Sequence, residues 1–324
     1  MSVTPGYCAR GVRVLAPGKP LADVLDLVER SCSQAGAAHR LAACMAVESA
    51  QSLPVSPRDA LIRTLFVEVE RALARLWLLG QSSRFAGFPQ LWRASLEQRE
   101  SLFDALVQGT GERRFWGVSV PGGIRDDIDW ESVCAALEAI APAVAQWQTS
   151  ASPKGPLGRS TALIGTLPAD QAQSLDVSGL AGMAAGVATD KRRSSPYDGY
   201  RALSFSWPDE AEAGADVGGR LRMAAEDLAV TITLAERIRD ALSTAETAKT
   251  IQAGTAGQAT VEGPHGPATV SLAVDASGKV TSLAIETTAP TTIAALDTTL
   301  SGSLISQAPL VLASMDICPE CADL

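Results

Sequence analysis

The segment from Ser52 to Gly80 constrains the fold most, because it predicts one long helix with a marked start and end. Ser56 can cap the first turn, Pro57 suits the first helical position and Gly80 can close the carboxyl end. The apolar residues form one stripe: Ile62, Leu65, Val69, Leu73, Leu76 and Trp77. Charge is expected on the other faces, from Arg63, Glu70, Arg71 and Arg75. We therefore predict a central helix over 57–79.

The rest of the sequence predicts further helices and a small late sheet. Helical patterns cover 21–50, 93–108, 129–149, 216–246 and 291–305. Apolar residues alternate with small or polar ones on both sides of Ser277 and Gly278, which predicts a hairpin between Val270 and Ile285. A Gly/Ala/Thr-rich stretch at 249–258 predicts a loop before this hairpin.

Composition supports a mainly helical chain. Hydrophobic residues make up 46% of the 324 residues but aromatic residues only 5%, so the core should be aliphatic, which favours helices. We predict a mainly α (α+β) fold with a small late β-hairpin, forming a single domain over 1–324. A Ser/Pro/Gly-rich stretch at 150–168 is a possible internal connection within it.

Charge and hydropathy exclude some function classes. The sequence holds 27 Lys and Arg against 36 Asp and Glu, a formal charge of −9, which weighs against nucleic-acid binding. No stretch approaches about eighteen uninterrupted apolar residues, so we expect no membrane span. Without the apolar core of a secretion signal, the expected location is the cytoplasm. Six cysteines there predict thiols or metal ligands rather than disulfides.

The cysteine spacing predicts one site. Cys318 and Cys321 form a Cys-x-x-Cys pair whose thiolates can chelate a soft metal or form a redox disulfide. A thioredoxin-like role is disfavoured, because the pair does not lie between an early strand and a helix. In a helical stretch, Cys32 and His39 would share a face. The other thiols, which have no partner at ligand spacing, are predicted to be core residues: Cys8, Cys44 and Cys134.

Several motifs, taken in order along the chain, resemble those of the [NiFe]-hydrogenase large subunit, especially the branch shared with the 49 kDa-type subunit of respiratory complex I. An early Arg-x-Cys motif with a following His and Glu is matched by Arg30, Cys32, His39 and Glu48. Pro121–Gly123 match a Pro-Gly-Gly loop of the family. A Gly-x-x-x-Asp-x-Arg stretch followed by Pro-Tyr is matched by Gly186, Asp190, Arg192, Pro196 and Tyr197. Residues 262–266 match a Glu-x-Pro-Arg-Gly motif, and Cys318 and Cys321 match the final Cys-x-x-Cys.

The resemblance implies a metal site with two departures. In that family four cysteines hold nickel and an iron that carries CO and cyanide, which implies that Cys32, Cys318 and Cys321 are metal ligands. The second early cysteine is replaced by Ala35, which has no donor atom, so a stable nickel ion is not expected. His265 occupies the place of the Arg beside the diatomic ligands, which implies a cofactor-binding role with a titratable ring.

These departures favour an accessory protein over an enzyme. The chain is similar to short, large-subunit-like maturation scaffolds of the HupK/HoxV type, which are thought to carry iron with its CO and cyanide ligands to the [NiFe]-hydrogenase large subunit. That resemblance implies iron with CO and cyanide as a transient cofactor. It also implies two partners, a HypC-like maturation chaperone and the immature hydrogenase large subunit.

Two alternatives stay open at this point. One is a divergent [NiFe]-hydrogenase large subunit with three cysteines, although the loss of a bridging thiolate should compromise a bimetallic centre. The other is a complex I-like 49 kDa-type subunit, in which metal-binding cysteines tend to be absent. In each case, motifs from the two ends of the chain should meet at one site.

Overall fold

The computed structural model describes residues 7, 9–188, 190–206, 214–243 and 256–324. Cys8, the end of the helix predicted at 216–246 and most of the loop predicted at 249–258 lie outside these residues.

Helices dominate the described residues, and a small antiparallel sheet follows late in the chain, which confirms the predicted fold class. The α-helices are α1 Val12–Leu15, α2 Leu21–Glu29, α3 Gly36–Gln51, α4 Pro57–Phe85, α5 Pro89–Thr110, α6 Trp130–Ala139, α7 Ala141–Ala151, α8 Pro156–Thr161, α9 Ala169–Ser174, α10 Gly179–Ala184, α11 Lys191–Ser194, α12 Val217–Leu242, α13 Ala289–Ala294, α14 Leu296–Leu300, α15 Ala308–Ser314 and α16 Pro319–Ala322. The strands are β1 Ser119–Val120, β2 Gly123–Ile124, β3 Ala256–Gly263, β4 Gly266–Val274 and β5 Val280–Thr287. Short 3₁₀ helices cover Asp198–Ala202 and Ile305–Gln307.

Helix α4 lies at the centre of the fold and starts as predicted. The Asp59 amide donates to the Ser56 side chain at 3.0 Å, and Pro57 occupies the first helical position. The helix does not end at Gly80 but continues to Phe85. A Cβ atom at Gly80 would lie 1.9 Å from the Ser95 hydroxyl oxygen, so this glycine permits close packing of α5.

Three other boundaries differ from those predicted from periodicity. The helix predicted at 21–50 is interrupted at 30–35, where the chain turns between α2 and α3. The helix predicted at 129–149 is divided at Ile140, and the predicted connection at 150–168 contains the short helix α8. The first interruption places Cys32 in a turn, where its side chain can reach the C-terminal segment.

The late sheet has one strand more than the predicted hairpin. β4 and β5 form the predicted hairpin, and β3 pairs with the free edge of β4. Sequence analysis missed β3 because its residues are small and resemble a loop. Glycine is required in this strand, because a Cβ atom at Gly257 would lie 2.0 Å from the Ala46 carbonyl oxygen of α3. The turn between β3 and β4 consists of Pro264 and His265, since Gly263 pairs with Gly266.

Most charged residues of α4 are buried, among them Arg63, Glu70, Arg71 and Arg75, which the helical pattern did not predict. Arg75 is fully buried and binds three distant segments. Its guanidinium contacts the Asp227 carboxylate at 2.6 Å, the Asp316 carboxylate at 2.6 Å and the Pro264 carbonyl oxygen at 2.7 Å. Arg75 thus joins α12, the β3–β4 turn and the segment before the Cys-x-x-Cys pair. Such groups enter a core only when they are paired and hydrogen-bonded.

A second arginine extends this buried network. The side chain of Arg192 contacts three carboxylates, those of Glu68, Asp190 and Asp227, at 2.6–3.2 Å. Glu68 is fully buried and also accepts hydrogen bonds from the hydroxyls of Tyr200 and Thr231. Asp190 and Arg192, two motif residues of the resemblance, therefore stabilise the core where Glu68 of α4 meets Asp227 of α12.

Glu70 fixes the start of α3, the helix that follows Cys32. Its carboxylate accepts hydrogen bonds from the amides of Ala37 and Ala38 at 2.9 and 3.0 Å. These amides belong to the first turn of a helix and have no partner within the helix itself. Burial raises the pKa of Glu70 to about 8, although both amide bonds favour the charged form.

We predict that Arg75→Leu lowers the free energy of unfolding by about 3–5 kcal/mol, because it leaves buried carboxylates without their partner. Denaturant unfolding followed by circular dichroism measures this change. Arg93→Leu is the matched control, since Arg93 is 82% exposed in its pair with Glu97 and should matter by at most about 1 kcal/mol. Equal effects of the two substitutions would contradict a structural role for Arg75.

We also predict that Glu70→Gln makes stability less dependent on pH. A carboxyl whose pKa is raised on folding contributes stability below the unfolded value, about pH 4.5, and loses it as the pH rises through about 8. Glutamine does not titrate, so the variant should lose less stability than the natural protein between about pH 5 and about pH 9. Glu97→Gln, at an exposed position, should keep the natural slope, and identical slopes for all three proteins would refute the prediction.

Candidate metal centre

Three thiols from opposite ends of the chain meet in a buried cluster. Cys32 lies in the turn between α2 and α3, whereas Cys318 precedes α16 and Cys321 lies within it. The Cys32 sulfur is 3.4 Å from the sulfur of each of the other two cysteines, and the three sulfurs lie within 4.8 Å of one another. All three residues are buried. The structure therefore brings together the three predicted ligands.

The C-terminal segment that carries two of these thiols is tied to the fold at both ends. Asp316 binds Arg75, and the Thr287 hydroxyl at the end of β5 donates to the Cys321 carbonyl oxygen at 2.6 Å. The Glu320 side chain accepts hydrogen bonds from the Ser33 amide and from Arg10. These contacts hold α16 against the turn that contains Cys32.

Hydrogen bonds within the cluster favour one thiolate. The pKa of Cys318 is lowered, first of all by its contact with the Cys32 side chain and then by that with Cys321, although burial opposes the charge. The pKa values of Cys32 and Cys321 are raised well above the ordinary value, first of all through their contacts with Cys318. A thiolate beside two thiols is a soft donor set that can bind a metal ion once the remaining protons leave.

Both histidines of the sequence lie near these thiols. The His39 Nε2 atom is 3.8 Å from the Cys321 sulfur, and its Nδ1 atom is buried without a hydrogen-bond partner among the described residues. Burial lowers the pKa of His39 to about 4, so this ring is neutral at pH 7. Sequence analysis placed His39 on the face of Cys32, but the structure places it against Cys321.

His265, the predicted cofactor-binding residue, lies in the β3–β4 turn with its side chain 8% exposed. Its Nδ1 atom lies 3.0 Å from the Asp316 carboxylate and 3.1 Å from the Asp316 carbonyl oxygen. Burial opposes protonation of the ring, but the Asp316 carboxylate outweighs it and raises the pKa of His265. The buried Nε2 atom has no hydrogen-bond partner among the described residues.

One cavity adjoins the cluster at Cys32, and a second lies beside His265. One of about 300 Å³ is lined by Cys32 together with Glu29, Glu70 and Trp116. Burial raises the pKa of Glu29 to about 7, although Arg40 favours its charged form. The other cavity, of about 330 Å³, is lined by residues that include His265, Asp316, Trp77 and Leu312. The first cavity gives small molecules room beside Cys32, and the second gives them room beside His265.

The donor set does not match the four thiolates of a nickel–iron centre. Ala35 is buried beside the three cysteines in one apolar cluster and supplies no ligand. The three thiols match the donors of a single soft or borderline metal ion. Cys44 and Cys134 are buried in other parts of the core, where burial raises the pKa of each thiol to about 12, as expected of unreactive packing residues.

No role was predicted for Asp316 of the closing motif or for Arg75, which position His265 and the C-terminal segment. The available signal was weak: Asp316 lies two residues before Cys318, and Arg75 lies on a helix whose charges looked solvent-exposed. Other residues of the resemblance support the fold. Glu48, for example, binds Arg63 at 2.6 Å and accepts the Gly122 amide of the Pro-Gly-Gly loop at 2.9 Å.

The chain is similar to several known proteins. Residues 87–258, just over half of the chain, match the family model described as the respiratory-chain NADH dehydrogenase, 49 Kd subunit. The carbon monoxide-induced hydrogenase of Rhodospirillum rubrum is 25% identical over 334 residues, which cover all of this chain and 91% of that protein. Formate hydrogenlyase subunit 5 of Escherichia coli is 26% identical over 98% of this chain, which spans 57% of that subunit.

A solved structure shares the fold at a TM-score of 0.89 with 23% identity, covering all of this chain and 90% of the other. It is a chain of the membrane-bound sulfane sulfur reductase, described as an archaeal respiratory membrane complex. No helix among the described ranges is long and apolar enough to cross a membrane.

These relatives overturn three predictions made from the sequence. The maturation scaffold is wrong, because the relatives are a hydrogenase, a hydrogenlyase subunit and a chain of a respiratory complex. The predicted partners, a HypC-like chaperone and an immature large subunit, are wrong for the same reason. A free cytoplasmic location is contradicted by a neighbour from a membrane-bound complex. The broader resemblance is confirmed: the chain belongs to the family of the respiratory-chain NADH dehydrogenase 49 Kd subunit.

Proposed function

We propose that this chain is a metal-binding, hydrogenase-like large subunit of a membrane-associated redox complex. The observation that carries the proposal is the buried cluster of Cys32, Cys318 and Cys321. The fold brings these residues together from positions 286 and 289 apart in sequence. Three soft donors in one buried place suit a metal ion better than they suit a hydrophobic core.

The three thiols are the proposed ligands, and His265 is the proposed residue beside the cofactor. The predicted cofactor, iron with CO and cyanide ligands and no stable nickel, stays a prediction. The residue at position 35 supports the absence of stable nickel, because with Ala35 nickel would lose one of its four soft ligands. The His265 Nε2 atom is a buried polar atom with no partner among the described residues, and it is therefore available to a bound group.

Partners and location follow from the relatives. We propose that other subunits of the complex, including an electron-transfer subunit, bind this chain and bring it to the membrane. Obligate interfaces of this kind commonly exceed about 2,000 Å². Exposed large apolar residues such as Trp116, Leu163 and Ile305 offer surface for such contacts.

A second candidate is a 49 kDa-type subunit of a complex I-like assembly without a metal. Two observations favour it: the family model is of that type, and Ala35 has replaced one of the four ligands. The retained cluster of three thiols favours the metal-binding subunit. Measurement of bound metal separates the two candidates, because they share the same partners.

We predict that a tagged copy in its native host sediments with the membranes and, after detergent extraction, co-purifies with an iron–sulfur subunit in equal amounts. The physical reason is that a large permanent interface survives purification. The tag expressed alone is the control. Recovery of the chain as a free monomer in the soluble fraction would contradict the proposed assembly.

We predict that the complex purified without oxygen contains iron but no stoichiometric nickel, and shows infrared bands of metal-bound CO and cyanide. Cys321→Ser should remove these bands and most of the iron, because it removes a soft ligand. Cys44→Ser, a change of a buried thiol outside the cluster, should leave both unchanged. Stoichiometric nickel with hydrogen turnover would favour a complete hydrogenase centre instead.

A further inference from the structure

The arrangement of His39 points to a fourth protein ligand. We propose that the His39 Nε2 atom joins the sulfurs of Cys32, Cys318 and Cys321 in binding one metal ion. The inference rests on the proposed function, since it assigns a further ligand to the same site. It replaces the missing sulfur at Ala35 with nitrogen and makes a Cys₃His donor set for a single divalent ion.

The first observation is the spacing of the donor atoms. Metal–sulfur and metal–nitrogen bonds of about 2.3 and about 2.0 Å put neighbouring ligands of a tetrahedral ion about 3.5–3.8 Å apart. The His39 Nε2 atom is 3.8 Å from the Cys321 sulfur, and the Cys32 sulfur is 3.4 Å from each partner. The three sulfurs form the compact group, and His39 lies at its edge. The His39 nitrogens lie outside the group of atoms within 4.8 Å of one another, so the proposal requires the imidazole ring to move toward the other two sulfurs when the ion binds.

The second observation is that no hydrogen bond anchors this ring at its other nitrogen. The Nδ1 atom of His39 is buried without a partner in the described part of the chain, and the residue is 1% exposed. A buried polar atom without a partner costs free energy, so this histidine is a poor core residue. It is also free to reorient toward a metal ion.

The third observation is the position of Ala35. Its carbonyl oxygen accepts the His39 amide at 3.0 Å, so the two residues lie one helical turn apart. Ala35 and Cys32 belong to the same buried cluster as the C-terminal thiols. Ala35 therefore lies one turn from His39 and beside the thiols, where its methyl group supplies no donor atom.

His265 does not fill this role. Its Nδ1 atom is engaged by Asp316, which is itself held by Arg75. This ring is therefore fixed on the Asp316 side of the site, whereas His39 touches a thiol directly.

The test uses the full chain, reduced and titrated with Co²⁺ alone in the absence of oxygen. We expect the natural protein to bind one equivalent, with intense visible bands of tetrahedral cobalt and sulfur-to-cobalt charge transfer in the near ultraviolet. His39→Ala should weaken Co²⁺ binding by at least about 10-fold, the lower end of the loss caused by removing even an outer-sphere partner. It should also reduce the visible bands and keep the charge-transfer bands.

Two further variants sharpen the result. His39→Cys should restore tight binding and add charge-transfer intensity, because it supplies a fourth sulfur. Cys134→Ser, a change of a buried thiol outside the cluster, should leave the affinity and the visible bands unchanged. Circular dichroism and thermal unfolding verify that each variant is folded before titration.

Two outcomes would overturn the inference in distinguishable ways. If His39→Ala binds Co²⁺ with the natural affinity and visible bands, His39 is not a ligand, while the site of three thiols stands. If the natural protein binds no stoichiometric Co²⁺, the proposed metal site fails and the role of His39 fails with it.

Discussion

The site depends on the hydrogen bonds and ion pairs of the Arg75 guanidinium. It is fully buried on α4 and simultaneously binds Asp227 of α12, the Pro264 carbonyl oxygen of the β3–β4 turn and Asp316 before the Cys-x-x-Cys pair. Each of these segments carries or supports a different part of the site. A planar group with five donors in a fixed fork can bind three acceptors at once, which a lysine ammonium does less specifically.

The network around Arg75 also explains how so many charges remain buried. Glu68, Asp190 and Asp227 lie within hydrogen-bonding distance of Arg192, and Asp227 also binds Arg75. The hydroxyl groups of Tyr200 and Thr231 also donate to Glu68. In low dielectric such a network is rigid, and losing any member leaves an unpaired charge. Rigidity of this kind keeps both chain ends in register, so that three sulfurs meet within 4.8 Å.

The relatives identify the family and the fold, whereas the cysteines and histidines form the candidate metal site. The matched family residues, 87–258, contain none of the three cysteines and neither histidine, so family membership assigns the fold and leaves the site to be tested. The departure at Ala35 misled the interpretation of the sequence toward a maturation scaffold. Ala35 lies one helical turn from His39, whose Nε2 atom is 3.8 Å from the Cys321 sulfur.

The sequence alone determined the central helix, its Ser56 cap, the late β4–β5 hairpin and the Cys318–Cys321 pair, because capping, alternation and Cys-x-x-Cys spacing are local signals. Cys32 became a ligand candidate only through the family resemblance. It could not reveal that charged residues of α4 are buried, since pairing depends on residues more than a hundred positions away. Nor could it place His39 against Cys321, 282 residues apart in sequence. Only tertiary packing determines which distant polar atoms meet, and the candidate metal site consists of such atoms.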